Sequence, residues 1–251
     1  LLWLLTFVQG KSRVVRVVSW CTAVALAVEM LLIAWAVVTG TTSHFNVSSA
    51  VNASVWGAMA FFIVVTWIAA LVTAALLIRQ RLPDAAFAWG LRLGVLVAVV
   101  GMGIAFFMPF PTPEQLALAQ QTGELPVIGA HSVGVPDGGA GLPVTGWSTV
   151  VGDPRVPHFV GLHALRVLPL VGYLASRVAP GRLASGHRVA LVVVAGLGYA
   201  GLVALLTWQA LRGQPVTAPD ATTMLVVGTA FAVMLVAVLS VVGHAATYGG
   251  R

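Results

Sequence analysis

Six long apolar stretches recur along the chain, and each is long enough to cross the hydrocarbon core of a bilayer, which takes about 20 residues of helix. Of the 251 residues, 59% are hydrophobic and 8% are charged, whereas soluble domains carry roughly 25% charged residues. Backbone polar groups in lipid must be satisfied within their own segment, so such stretches fold as helices. The sequence therefore predicts an all-α, polytopic transmembrane bundle with spans at about 14–39, 55–79, 85–108, 158–177, 188–212 and 221–243.

The connection between the third and fourth stretches is unusually long. Residues 109–157 are rich in glycine and proline, and a structureless loop of that length is uncommon unless it is functional or disordered. We expect it to fold as a cap on the outer side, with a short helix at 113–121 because Pro113 is typical of a helix start. Residues 1–251 then form a single membrane domain. The apolar run at 1–8 is too short to span, so we expect an interfacial stub or the remainder of a trimmed segment.

Basic residues are distributed unevenly between the two sides of the predicted bundle. Three of the thirteen fall on or near the side of the long loop, namely Arg155, Arg166 and Arg212. The other ten fall on the opposite side: Lys11, Arg13, Arg16, Arg79, Arg81, Arg92, Arg177, Arg182, Arg188 and Arg251. By the positive-inside rule this bias predicts that both termini are cytoplasmic and that the long loop is extracytoplasmic. Twelve of the thirteen basic residues are arginine, which together with the many Ala, Val and Gly residues is typical of GC-rich bacterial genomes, so we expect a bacterial inner membrane.

Two ionisable residues fall deep within predicted spans, where a charge is costly and indicates a functional site. Glu29 lies roughly 16 Å and Arg166 roughly 13 Å below the outer end of their helices at the 1.5 Å rise of an α-helix. If the first and fourth spans touch, the two side chains form an ion pair. We expect Glu29 to carry a proton or to accept a hydrogen bond near a cofactor. Arg166 would hold Glu29 ionised or bind an anionic group of the cofactor.

Four of the six histidines fall on the outer half of the predicted bundle, and imidazole is the commonest protein metal ligand. They are His44, His131, His158 and His163. This distribution predicts an outer-leaflet site for a transition metal or a haem that uses two or more of these side chains, with His163 and Arg166 against the cofactor. The alternative is structural: His44 and His158 cap loops, His163 bonds a neighbouring helix, and Glu29 with Arg166 is a structural pair.

Several familiar chemistries are excluded. Cys21 is the only cysteine, so the chain has no intrachain disulfide, CxxC redox pair or CxxCH haem attachment. The only lysine, Lys11, lies outside every predicted span, which excludes a retinal Schiff base. No phosphate-binding GxxxxGK[ST] loop or HExxH zinc motif occurs. The basic residues lie at helix ends rather than in one solvated cluster, so nucleic acid is not expected as a partner.

Four segments carry a resemblance to a known group of proteins. They are Ser43-His44-Phe45-Asn46, Gly129-Ala130-His131-Ser132, Pro136-Asp137-Gly138-Gly139 and the run GDPRVPHFVGLHAL from Gly152 to Leu165. These segments are similar to stretches of uncharacterised multi-pass bacterial membrane proteins, for which no activity is established. This chain has Arg166 where those proteins have a glutamine. The resemblance implies an outer-face site without naming its chemistry.

The sequence supports three functional hypotheses. The leading one is a membrane-embedded metal- or haem-binding protein, redox-active, with its site under the 109–157 cap. The second is a small transporter or channel in which Glu29 binds the coupling proton or cation. The third is an accessory subunit of a larger membrane complex, in which the long loop contacts other membrane subunits. In all three the lipid bilayer is the first partner.

Overall fold

Eight α-helices form the described part of the chain, and six of them are long and apolar enough to cross a membrane. The computed structural model describes residues 1–178 and 183–248. The short helices are α1 (Leu2–Leu5) and α5 (Pro113–Thr122). The six long helices are α2 (Ser12–Val38), α3 (Ala50–Arg79), α4 (Ala85–Ile104), α6 (Arg155–Val178), α7 (Ser185–Leu211) and α8 (Ala221–Tyr248). The prediction of an all-α bundle with six spans is confirmed.

Helix ends differ from the predicted spans where side chains cap them. α3 begins at Ala50 rather than 55, because the Ser49 hydroxyl accepts a hydrogen bond from the Asn52 amide at 3.2 Å. α6 begins at Arg155 rather than 158, where the Arg155 amide donates to the Asp153 carboxylate at 3.0 Å. α4 ends in a 3₁₀ turn over Ala105–Phe107 that completes the predicted third span.

Spans α2, α3 and α4 pack in a row, and the row ends in a cluster of three helices. α4, α6 and α7 pack on one another, and α8 packs on α7. α4 is the most buried span, and glycines bring it close to α6: a Cβ on Gly101 would lie 2.6 Å from the Gly161 Cα. Small residues at such crossings let helix backbones approach closely. The row places α2 and α6 apart, because α3 and α4 lie between them.

The first residues form a short helix that packs partly into the bundle. Leu4 is buried in a cluster with Leu77 of α3 and Leu91 of α4, while Leu5 packs against Val18 of α2. Leu1 packs against the same two clusters. Leu4 and Leu5 therefore fill the space between three spans, whereas Leu2 and Trp3 are exposed.

The end of the bundle opposite the cap is held by polar contacts. Asp84 caps α4 by accepting from the Phe87 amide at 2.8 Å, and it also accepts from the Ser176 hydroxyl of α6 at 2.6 Å. Arg92 reaches towards this end, as predicted, and donates to the Gln80 carbonyl at 2.6 Å. Arg182 and Arg251, which contributed to the charge bias, lie outside the described residues. Orientation stays a prediction, and the end carrying residues 108–154 is called the cap face below.

Candidate metal site in the cap

The two loops of the cap face pair with each other through their backbones. Asn46 and Val127 form an antiparallel bridge. On either side of it, the Val47 amide donates to the Pro126 carbonyl and the Ile128 amide donates to the Phe45 carbonyl, each at 2.9 Å. This pairing joins the short loop after α2 to the long loop after α5. It sets the segment that carries His44 beside the segment that carries His131.

Helix α5, predicted at 113–121 and found at Pro113–Thr122, anchors the long loop. Its first turn has a capping box, in which the Thr112 hydroxyl accepts from the Gln115 amide and the Gln115 side chain accepts from the Thr112 amide. The same Gln115 side chain accepts from the Gly129 amide and donates to the Gly129 carbonyl. Gly129 has a φ of +104° and lies against the Met108 carbonyl, where a side chain would not fit. Residues 129–131 are therefore fixed on both sides.

A tight loop around one carboxylate orients His131. Asp137 accepts hydrogen bonds from the backbone amides of His131 and Ser132, at 2.9 and 3.1 Å to its Oδ1. Its Oδ2 lies 2.7 Å from His131 Nδ1. Because a carboxylate can only accept, Nδ1 carries the proton and Nε2 presents a lone pair. A carboxylate on the second ring nitrogen is the arrangement that orients metal-binding histidines.

His44 lies beside His131, with ring centres 6.1 Å apart. Its Nδ1 is 2.8 Å from the hydroxyl of Ser43, which can accept from it. Within residues 1–178 and 183–248, neither Nε2 atom makes a hydrogen bond. Both imidazoles line one cavity of about 550 Å³. The two free nitrogens are thus available to a ligand in that cavity.

An aromatic wall and a strained residue support the pair. Phe45 is 4% exposed and its ring centre lies 4.8 Å from that of His131 and 5.2 Å from that of Trp56. The ring of Trp56 is in turn 5.5 Å from that of His44. Phe45 has a φ of +63°, which is unusual for a bulky residue. Strain of this kind concentrates at functional sites, and it costs on the order of 1–3 kcal/mol.

Electrostatics favour the metal-binding protonation states. Burial, and then the neighbouring His131, lower the pKa of His44 below its ordinary value, so the neutral ring that binds metals predominates. Burial acts to raise the pKa of Asp137, but hydrogen bonds from His131 and Ser132 outweigh it and the net shift is downward. At a pH at which His44 is neutral, Asp137 is therefore ionised.

A buried ion pair closes the other side of the cap. Asp153 is 2% exposed, and its Oδ2 lies 2.6 Å from Arg155 Nη2 and accepts from the Ser148 amide at 2.9 Å. Arg155 also donates to the Gly146 carbonyl at 2.7 Å. A second cavity of about 150 Å³ is lined by Arg155, by the loop of Asp137 and by the other side of His131. The pair holds the hairpin at residues 140–149 against the start of α6.

The other two predicted histidine ligands do not join this site. His158 Nδ1 lies 2.8 Å from the Gly101 carbonyl and donates to it, which fastens α6 to α4. His163 Nδ1 donates to the Phe159 carbonyl of its own helix at 2.9 Å. His163 lines a separate groove of about 850 Å³, together with Arg166. The predicted four-histidine site is therefore divided, because the two loop histidines meet in the cap and the two helix histidines face elsewhere.

The predicted pair of Glu29 with Arg166 is not formed. α2 and α6 are not neighbours in the row of spans, and no ion pair joins the two side chains. Glu29 lies four residues after the buried Ala25, on the face of α2 that packs against α3. Its Oε2 is buried without a hydrogen-bond partner among the described residues. Helical rise predicted the depths of the two charged side chains. It did not predict that other helices separate α2 from α6.

Sequence reasoning did not assign a role to Asp137 or to Ser43. The available signal was the Asp-Gly turn six residues after His131, since short Asp side chains often bind nearby backbone amides. Across the described residues, no group of three or more His, Cys, Asp or Glu side chains is arranged to hold a metal ion. The cap therefore brings two imidazoles together without a complete set of metal-ligating side chains.

The segments singled out in the sequence occupy the cap and the start of α6. Residues 43–46 and 129–132 bring the paired histidines together, and residues 152–165 contain the Asp153–Arg155 ion pair. Comparison with known protein families finds no match for this chain, and comparisons with curated proteins and with solved structures find no significant similarity.

Proposed function

We propose that this multi-pass membrane protein binds a transition-metal ion at its cap face through His44 and His131. One observation carries the proposal: two imidazoles line a shared cavity, each has its Nδ1 beside an oxygen acceptor, and each has a free Nε2. Preorganised rings of this kind lose little freedom when they bind a metal.

The spacing of the rings fits a shared ion. Two imidazoles bound through Nε2 to one metal at about 2.0 Å have ring centres roughly 5 Å apart at a tetrahedral angle and roughly 6.3 Å apart when they lie on opposite sides of the metal. The observed separation of 6.1 Å corresponds to the nearly opposite arrangement. Two protein ligands leave further positions for water or a substrate, as in catalytic rather than structural sites. The site therefore suits metal-dependent chemistry or metal transfer rather than stabilisation of the fold.

The ligand type favours copper over other divalent ions. Imidazole suits zinc, copper, iron and nickel, and affinity for a given nitrogen site peaks at Cu²⁺. The only thiol, Cys21, lies in α2 and does not line the cavity. We expect Cu²⁺ to bind more tightly than Zn²⁺, with one ion per chain.

Calorimetric titration of the detergent-purified protein with Cu²⁺ and Zn²⁺ tests the proposal. One site per chain is expected, and His44→Ala or His131→Ala should each weaken it at least tenfold. His187→Gln removes an imidazole from the opposite end of the bundle and serves as the matched control. Binding that is not stoichiometric, or that survives His131→Ala unchanged, contradicts the proposal. A Soret band in the purified protein would assign the chemistry to haem instead.

A second candidate function is transport coupled to a proton or cation at Glu29. It is favoured by the buried Oε2, which has no hydrogen-bond partner among the described residues. A carboxyl group at membrane depth without a protein partner is suited to bind a proton or cation in transit. Glu29→Gln should then abolish the flux of the proton or cation across proteoliposome membranes, while the stoichiometry of Cu²⁺ binding is unchanged. Unaltered flux in Glu29→Gln would exclude this candidate.

A further inference from the structure

A groove on α6, separate from the cap, combines apolar and aromatic walls with an arginine and a histidine. It has a volume of about 850 Å³ and is formed by α6, α1 and the start of α4. Its aromatic walls come from Trp3, Phe87, Phe159 and Tyr173. A volume of this size, mostly apolar with few polar groups, is typical of small-molecule sites.

Arg166 is the only cationic side chain that lines this groove, and no described residue makes a hydrogen bond or ion pair with it. It lies eleven residues into α6, about 16 Å from the start of the helix at 1.5 Å per residue. Charged residues at such depth almost always pair with another group or face a cavity. The guanidinium is therefore available to an oxygen acceptor from a ligand in the groove.

His163 offers the complementary atom one helical turn away. Its Nδ1 proton is donated to the Phe159 carbonyl, so its Nε2 is an acceptor. Residues three apart on a helix lie on the same face, and both side chains line the groove. A ligand here meets a hydrogen-bond donor and an acceptor side by side, flanked by aromatic rings.

We propose that this groove binds the head group of an isoprenoid quinone or quinol. A quinone carbonyl accepts from Arg166, and a quinol hydroxyl donates to His163 Nε2. The aromatic walls pack against the planar ring. Arg166, Leu170 and Tyr173 are exposed on the membrane-facing side of the groove, so the ligand enters from the lipid and its tail remains there. The carboxylate of an ionised fatty acid would accept hydrogen bonds from Arg166. It has no proton to donate, so His163 Nε2 would remain without a donor.

Titration of nanodisc-embedded protein with a short-chain ubiquinone analogue tests the proposal. Arg166→Met and His163→Phe should each weaken binding at least tenfold. Arg166→Met removes an unpaired charge from the bilayer, so it is expected to fold. Leu162→Trp fills the groove without altering either polar group and should also abolish binding. Arg79→Met, an exposed arginine on α3 outside the groove, is the matched control and should bind as the wild type does.

Two results would overturn the proposal. The first is wild-type protein that does not bind the analogue, or variants at Arg166 and His163 that bind it as the wild type does. The second is a competition experiment in which oleate displaces the analogue at a concentration below that of the analogue, and in which oleate binding depends on Arg166 but not on His163. That second result would assign the groove to an acidic lipid. The metal site in the cap shares no residue with the groove, so either assignment can fail without the other.

Discussion

Replacing Asp137 with asparagine isolates the orientation of His131 from the presence of its ring. Three backbone or ring donors of His131 and Ser132 converge on the two oxygens of Asp137, at 2.7 to 3.1 Å. Asparagine offers one acceptor oxygen. If that oxygen keeps the backbone amides, its NH₂ group faces His131 Nδ1 and forces the proton onto Nε2. The nitrogen that binds the metal is then blocked.

The expected loss of copper affinity depends on how exposed the side chains of His131 and Asp137 are. Removing the group that orients a metal-bound histidine typically lowers metal affinity 10–100-fold, which corresponds to about 1.4–2.8 kcal/mol. The side chains of His131 and Asp137 are 27% and 38% exposed. Water can replace part of the lost interaction, so the lower end of that range applies. Asp137→Asn should weaken Cu²⁺ binding about tenfold.

Competition with a chromogenic chelator of known copper affinity measures this change. Amide hydrogen exchange at His131 and Ser132 is the structural control, because both amides are bonded to Asp137 in the folded loop. Wild-type affinity in Asp137→Asn would refute the assigned role of the carboxylate. Weakened binding that appears only when those two amides also exchange faster would attribute the effect to loop unfolding instead.

Three further predictions concern pH, packing and the cap. Because burial and His131 hold the pKa of His44 below its ordinary value, the His44 ring should stay neutral and bound to copper at a lower pH than an ordinary imidazole; loss of the His44 nitrogen coupling to Cu²⁺ at a pH above that at which free imidazole protonates would contradict this. Gly161→Ala places a Cβ 2.5 Å from the Gly101 Cα, so it should destabilise the protein by about 1–3 kcal/mol and lower the Tm in detergent. Gly57→Ala, with no atom within 4 Å, should leave the Tm nearly unchanged, and equal effects would refute the close packing of α4 and α6. Asp153→Asn removes the charge paired with the arginine at the start of α6 and should speed amide exchange in the 140–149 hairpin, whereas unchanged exchange would show that the ion pair does not hold it.

The spans were predictable because the bilayer constrains them strongly. Each must be about 20 apolar residues long and helical, and hydropathy alone locates such segments. The helix at Pro113–Thr122 was also predictable, since Pro113 suits a first helical turn and the capping box is local in sequence. Both features depend on residues close together in the chain.

The site was only partly predictable because its geometry depends on contacts between distant segments. His44 and His131 were correctly placed on one side of the bundle, but their pairing results from the backbone bridge between Asn46 and Val127. The pattern of hydropathy along the chain does not indicate which loops pair through their backbones. In the same way, helical rise predicted similar depths for Glu29 and Arg166 but not the order of the helices around the bundle.

Pulsed EPR of the Cu²⁺-loaded protein tests the central claim most directly, because it counts the imidazole nitrogens coupled to the copper. Two coupled imidazoles are predicted for the wild type, one for His44→Ala and one for His131→Ala. No coupled imidazole in the wild type, or a wild-type spectrum from the double variant, would show that the cap histidines do not bind the metal.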